Sequence, residues 1–165
     1  MSAAIPIIIC GKNPEVARAA KASLHPEYEG AIHRTIPHLI SPHLTVLFSF
    51  LVIHVILSVE AGVSIIPALL RGERPPSADE ENVGTRNYLK PPAAIVTGGG
   101  YNDANVKEMR DACKGESNVP WLRPDMSALP PQGPGYGSAM GEKVKACLGR
   151  LVKDVKMKED GVYHY

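Results

Sequence analysis

Four short apolar runs, each closed by a turn and followed by helical periodicity, constrain this chain more than any other feature. Ile5 to Cys10 is the first. An unbroken apolar run of strand length suits a parallel sheet covered on both faces. It ends at Gly11-Lys12-Asn13-Pro14. Asn13 is a favourable N-cap and Pro14 a favourable first helical residue, because proline lacks an N–H that would be unpaired there anyway. The predicted helix puts Val16, Ala20 and Leu24 on one face. Val52 to Leu57 is the second strand, and Ser58 is placed to cap a short helix carrying Ala61, Ile65, Ile66 and Leu69, although Gly62 and Pro67 weaken it. Residues 71–92 are hydrophilic and rich in proline, and read as a surface loop. Ala93 to Thr97 is a third strand. Gly98-Gly99-Gly100-Tyr101-Asn102-Asp103 then leads into a helix with Val106, Met109 and Cys113 on its apolar side. Val119 to Arg123 is a fourth strand, expected at an edge because of Pro120. A last helix, from about Ser138 to Lys156, buries Met140, Val144, Cys147 or Leu148, and Leu151.

This alternation predicts an α/β fold: a three-layer Rossmann-like or flavodoxin-like parallel sheet of about four strands with right-handed crossovers. The 165 residues suit a single α/β domain over 1–165, interrupted by an anomalous insert at 30–51. With 18 Lys and Arg against 17 Asp and Glu, no global field points to nucleic acid or to an acidic membrane surface. Cys10, Cys113 and Cys147 are odd in number and far apart, so there is no CxxC pair for a zinc ribbon or a thioredoxin-type site, and no metal site is expected. Free thiols suit a cytoplasmic protein. Nothing at the start of the chain reads as a secretory signal.

Residues 30–51 depart from the rest. They hold both phenylalanines, Phe48 and Phe50, three of the six histidines, and no Asp, Glu or Lys. A hydropathy window flags Leu44–Ile66, which raises a single-pass membrane-attached reading. That stretch is interrupted by Glu60, and a spanning helix needs roughly 20 predominantly apolar residues. The segment also resembles a translated, unspliced short intron of the fungal type. If Gly30 is encoded GGT and Val52 begins with G, excision is in frame and restores a valine codon after Glu29. Leu44-Thr45 can be written as a branch-point-like string, and Val46 to Phe50 almost wholly in pyrimidines. Excision leaves 143 residues and joins Glu27-Tyr28-Glu29 to Val52 to Leu57 as one buried strand, entered from a helix by a short loop at Pro26.

In open α/β sheets ligands bind beyond the carboxyl ends of the strands. Two junctions are therefore candidate cofactor-binding sites: Gly11, Lys12 and Asn13 after the first strand, and Gly98, Gly99, Gly100 and Asn102 after the third. Glycines let a backbone pass close to a ligand, and the next helix offers unpaired N–H groups. NAD(P) or another nucleotide is the favoured cofactor, with Lys12 on a phosphate. The competing reading is a tight turn with Asn102 or Asp103 capping the helix, since neither junction contains GxGxxG or GxxxxGK[ST]. Gly133 to Ser138 reads as the turn leading into the last helix rather than a phosphate loop. Arg123 and Asp125 mark another possible ligand edge, explained equally well by an ion pair or a loop anchor. No catalytic set is visible: YxxxK and GxSxG are absent, and His54 and His164 have no partner apparent from spacing.

The order of Ile7 to Glu15, Val52 to Val55, Ile95 to Tyr101, Val119 to Asp125, Gly133 to Gly137 and Asp160 to Tyr163 resembles a group of short, uncharacterised Rossmann-like α/β proteins of filamentous fungi. That resemblance covers nearly the whole chain except 30–51 and implies no assigned reaction. The first half is also similar in layout to response-regulator receivers, but Thr97 stands where a phospho-acceptor Asp is expected. A small nucleotide-binding protein and a non-catalytic regulatory or interaction domain with receiver-like layout are thus the two leading functional readings.

Overall fold

A computed structural model describes residues 4–24, 48–75 and 82–165. Within them the elements run β1 (Ile5–Cys10), α1 (Pro14–Leu24), β2 (Phe50–Ile56), α2 (Val59–Leu70), β3 (Ala94–Thr97), α3 (Asp103–Ala112), β4 (Trp121–Arg123), α4 (Tyr136–Lys153) and β5 (Val162–His164). All five strands are parallel, in the order β2-β1-β3-β4-β5. This is one of the two common doubly wound orders, and its direction of winding reverses between β1 and β3.

Side chains alternate across the sheet with the period of two that a strand imposes. Ile7, Ile9, Val96 and Leu122 join one core with Ala17 and Leu24 of α1 and Met140, Val144 and Leu148 of α4. Ile8, Ile95 and Trp121 join the opposite core with Ile65, Ile66 and Leu69 of α2 and Val106 and Met109 of α3. Ser58 caps α2 by accepting the Ala61 N–H at 3.1 Å. Pro67 stands one turn from the end of α2 and is buried there without ending it. Helices α1 and α4 pack almost backbone to backbone. A Cβ on Gly137 would lie 2.7 Å from Ala19 Cβ, and one on Gly141 would lie 2.7 Å from the Ala20 carbonyl oxygen.

Two expectations change. The sheet is close to the expected size, but Val162–His164 adds a short fifth strand beside Trp121–Arg123, so β4 is internal and not at an edge. Pro120 is accommodated because it precedes the strand and contributes only its carbonyl, which accepts the Ile95 N–H at 3.0 Å. The second change concerns residues 82–88, which lie along the outer edge of β2 instead of forming a free surface loop. The β1–β2 register slips so that Ile7 faces Val52 while Ile8 faces His54. Ile53 is the surplus residue of a bulge. The successive carbonyls of Val52 and Ile53 then accept the N–H groups of Thr85 (2.9 Å) and Arg86 (3.0 Å). Asn82 is buried, and its Oδ1 accepts from Val55 N–H at 3.0 Å and Gly84 N–H at 2.8 Å.

β2 begins at Phe50, so Phe50 and Leu51 of the anomalous segment are strand residues. The rest of that segment to residue 47 lies outside the described residues. Among the described residues no helix is long and apolar enough to cross a membrane.

Candidate functional site

The reversal of winding brings the two glycine junctions side by side. Gly98 N–H donates to the Cys10 carbonyl at 2.7 Å, and Gly11 N–H donates to the Ile56 carbonyl at 2.8 Å. The ladder thus continues past the strand ends into both loops. The Lys12 stem rests on the next loop, with its Cβ, Cγ and Cδ 3.5–3.6 Å from where a Gly100 Cβ would be. Its ammonium lies 5.3 Å from the centroid of the Tyr101 ring, within cation–π range. Tyr101 is buried beneath it and its hydroxyl donates to the Ile56 carbonyl at 3.3 Å. Gly11, Lys12, Gly98, Gly99 and Gly100 therefore share one place at the carboxyl edge.

The two asparagines are used as helix caps. Asn13 Oδ1 accepts the N–H groups of Glu15 (2.9 Å) and Val16 (3.3 Å). Asn102 accepts the Asn105 N–H at 2.9 Å, while the Asn105 side chain accepts the Asn102 N–H at 3.3 Å. These bonds satisfy orphan donors that a ligand would otherwise meet.

A cleft of about 490 Å³ opens over Gly99 to Ala104, with Arg123 and Met126 on its far side. Arg123 Nη1 donates to the Asp103 carboxylate at 2.7 Å, and among the described residues its Nε is buried without a hydrogen-bond partner. Asp125 accepts from the Ser127 N–H at 2.9 Å and its hydroxyl at 2.6 Å, and the hydroxyl holds the carboxyl below its ordinary range. Ion pair and loop anchor both describe these two residues.

Tyr136 and Tyr165 reach the same edge, and spacing did not reveal them. The Tyr136 hydroxyl lies 3.7 Å from the position of a Gly99 Cβ. Gly135, with φ +85°, caps α4 without a side-chain bond and turns the chain so that Tyr136 faces inward. Gly133 to Gly135 thus form the lead-in turn, and Tyr136 to Ser138 are already the first turn of α4, which starts two residues earlier than expected. The Tyr165 hydroxyl donates to the Thr97 carbonyl at 2.9 Å. The only signal was the placement of each tyrosine directly after a turn or strand.

The thiols offer no activated nucleophile. Cys10 is fully buried and its pKa is raised, by burial first and by Cys113 second. Burial pushes Cys113 up to about 12 and also raises Cys147. His54 has partners that lie far off in sequence: its Nδ1 is 2.7 Å from the Tyr88 hydroxyl and 2.6 Å from Asn82 Nδ2. Asn82 Oδ1 is occupied by backbone donors, which orients the amide so that Nδ2 donates to His54 Nδ1. Among the described residues no His, Cys, Asp and Glu side chains group as metal ligands.

A five-stranded parallel α/β sheet with glycine loops and one lysine at its switch point is the class this geometry defines. No protein-family model and no solved structure matches the chain. Over 166 aligned residues it is 32% identical to Kojic acid related protein 6 of Aspergillus oryzae (strain ATCC 42149 / RIB 40), an alignment covering 98% of this chain and 86% of that protein. The chain belongs to the family of that fungal protein.

Proposed function

We propose that the chain binds a nucleotide or dinucleotide, with its phosphate on the Gly98–Gly100 loop and Lys12 as counter-charge. One observation carries the reading: the reversal of strand order falls between the two glycine junctions, with Lys12 folded across the second. Among the described residues no backbone carbonyl takes the N–H groups of Gly99 and Gly100, so these are the donors assigned to phosphate. The relative's name connects that protein with kojic acid, so kojic acid belongs in the same ligand panel. Thermal shift with NAD, NADP, FMN, ATP and kojic acid tests the reading. A millimolar nucleotide should raise Tm, and Lys12→Ala should reduce the shift. No stabilisation by any nucleotide would overturn it.

The strand order also favours a second reading, a non-catalytic interaction domain of receiver-like layout. Thr97 occupies the end of β3, buried, with its hydroxyl donating to the Leu122 carbonyl at 3.1 Å, so phosphorylation there is not part of this reading. Retention of one defined partner in pull-downs supports it, and loss of that partner under stringent washing counts against it.

The intron reading of residues 30–51 gains a structural argument. In the shorter chain Tyr28 and Glu29 directly precede Val52, in the places of Phe50 and Leu51. Phe50 is a buried aromatic opposite Ile5. Leu51 is half-buried against the core of α2 and α3 and lines a shallow pocket together with Lys90, and the lysine is what suits this place to a glutamate. Transcripts joining the Glu29 codon to Val52, and a 143-residue product at least as stable as the long one, are the expected results. Transcripts that all retain the interval refute the reading.

A further inference from the structure

Beneath the switch-point loops lies an apolar slot of about 60 Å³, between the sheet and the seam of α1 and α4. Ile9 and Val96 lie beneath it, and Ala17, Ala20 and Val144 line its helical side. Gly99 and Tyr136 border it at the carboxyl edge, the edge where the phosphate is placed above. Its size follows from packing. Gly137 and Gly141 draw the two helices together, while Ala17 and Ala20 carry only methyl groups toward the sheet. Of the polar groups nearby, the Tyr165 hydroxyl is held by Thr97, the Cys10 side chain turns into the opposite core, and the Tyr136 hydroxyl stands at the rim beside Gly99. A cavity so lined stays dry and accepts apolar groups.

We propose that this slot receives a short apolar substituent of the molecule bound at the Gly98–Gly100 loop. The ligand is then an amphiphile, with an anionic head beside Lys12 and a tail of about two or three carbons between α1 and α4. The tail length follows from the volume: an apolar cavity of about 150 Å³ accepts the six carbons of benzene, so a slot of about 60 Å³ has room for two or three. This inference rests on the phosphate reading above and adds a second determinant, tail length, that the loops alone do not impose.

The test is calorimetric titration of the full chain with inorganic phosphate and with methyl, ethyl, propyl and hexyl phosphate. Affinity should rise by up to about fourfold per added carbon, as expected for a buried methylene, and level off after propyl. Ala17→Leu, which fills the slot, should bind inorganic phosphate as the native chain does and lose the gain from the tail. Val144→Ile, a smaller intrusion, serves if the first variant does not fold. Equal affinity for all five compounds, or a tail gain untouched by the folded variant, overturns the proposal. If no phosphate compound binds, the phosphate reading has failed, and 1-propanol probes the slot alone. Methyl NMR shifts confined to Ala17, Ala20 and Val144 then sustain the slot, and their absence rejects it.

Discussion

Gly84 lies directly against the backbone of His54: a Cβ at position 84 would sit 2.7 Å from His54 Cα and 2.6 Å from the Ile53 carbonyl oxygen. Backbone cannot retreat as a flexible side chain does, so Gly84→Ala must lift residues 82–88 away from β2. The expected loss is about 1–3 kcal/mol. Asn82→Ala should cost a similar amount, about 1–3 kcal/mol, by leaving the buried Val55 N–H without its acceptor. Urea unfolding measures both, and native-state hydrogen exchange should show Val55 opening faster in each variant. A Gly84→Ala protein as stable as the native chain would contradict the close packing of residues 82–88 on the edge of β2.

The seam of α1 and α4 makes a second demand. Gly141→Ala places a methyl 2.7 Å from the Ala20 carbonyl and 2.8 Å from Ser23 Cβ. A gain in helix propensity of about 1 kcal/mol opposes this clash, and the clash should win, because one of its partners is backbone. Thermal unfolding should show a lower Tm for Gly141→Ala. Gly149→Ala on the same helix, with nothing within 4 Å of the new Cβ, should raise it.

Asn102 separates capping from ligand binding. As a cap, Asn102→Ala should lose about 1 kcal/mol of stability, and Asn102→Asp should restore most of it. Nucleotide affinity per folded molecule should change little in either variant, whereas Lys12→Ala should weaken it. A large affinity loss in Asn102→Ala at unchanged stability would assign the side chain to the ligand instead.

Alkaline pH provides a readout of the core. Burial raises the pKa of Cys10, Tyr101 and Tyr165, and brings Cys113 to about 12. Each group keeps in the folded state a proton that the unfolded chain releases first. Their contribution is therefore complete below the ordinary thiol value of about 8.5 and is lost as pH climbs from there through the raised values. Tm should hold to about pH 8 and then fall, and Cys10→Ala should make the fall shallower. At pH 8 iodoacetamide should modify the native thiols slowly, half-buried Cys113 first. A flat Tm to pH 11 would show that these groups titrate normally.

The elements that could be read from local pattern were those whose cause is local. Ile5–Cys10 is an apolar run, Asn13 and Ser58 are caps, and the face of α3 follows from its period. β5 escaped because three residues, two of them exposed, carry no hydrophobic alternation, and their place beside β4 depends on the rest of the sheet. Residues 82–88 escaped for a related reason: Asn82 and Gly84 look like loop residues, and only the bulged strand 30 positions earlier gives them buried partners. In the site, the meeting of Lys12 with Gly100 followed from the general rule for strand ends. The arrival of Tyr136 and Tyr165 depends on how α4 and the chain end fold back.

The bulge at Ile53 has a bearing on solubility. A parallel sheet ends in a row of unused hydrogen-bonding groups that other chains can extend into aggregates. One surplus residue turns two neighbouring carbonyls outward together, giving the chain's own later segment a purchase that a regular strand would not offer. Deleting that residue would restore the ideal pleat and leave the edge sticky. Regularity would here be the route to precipitation.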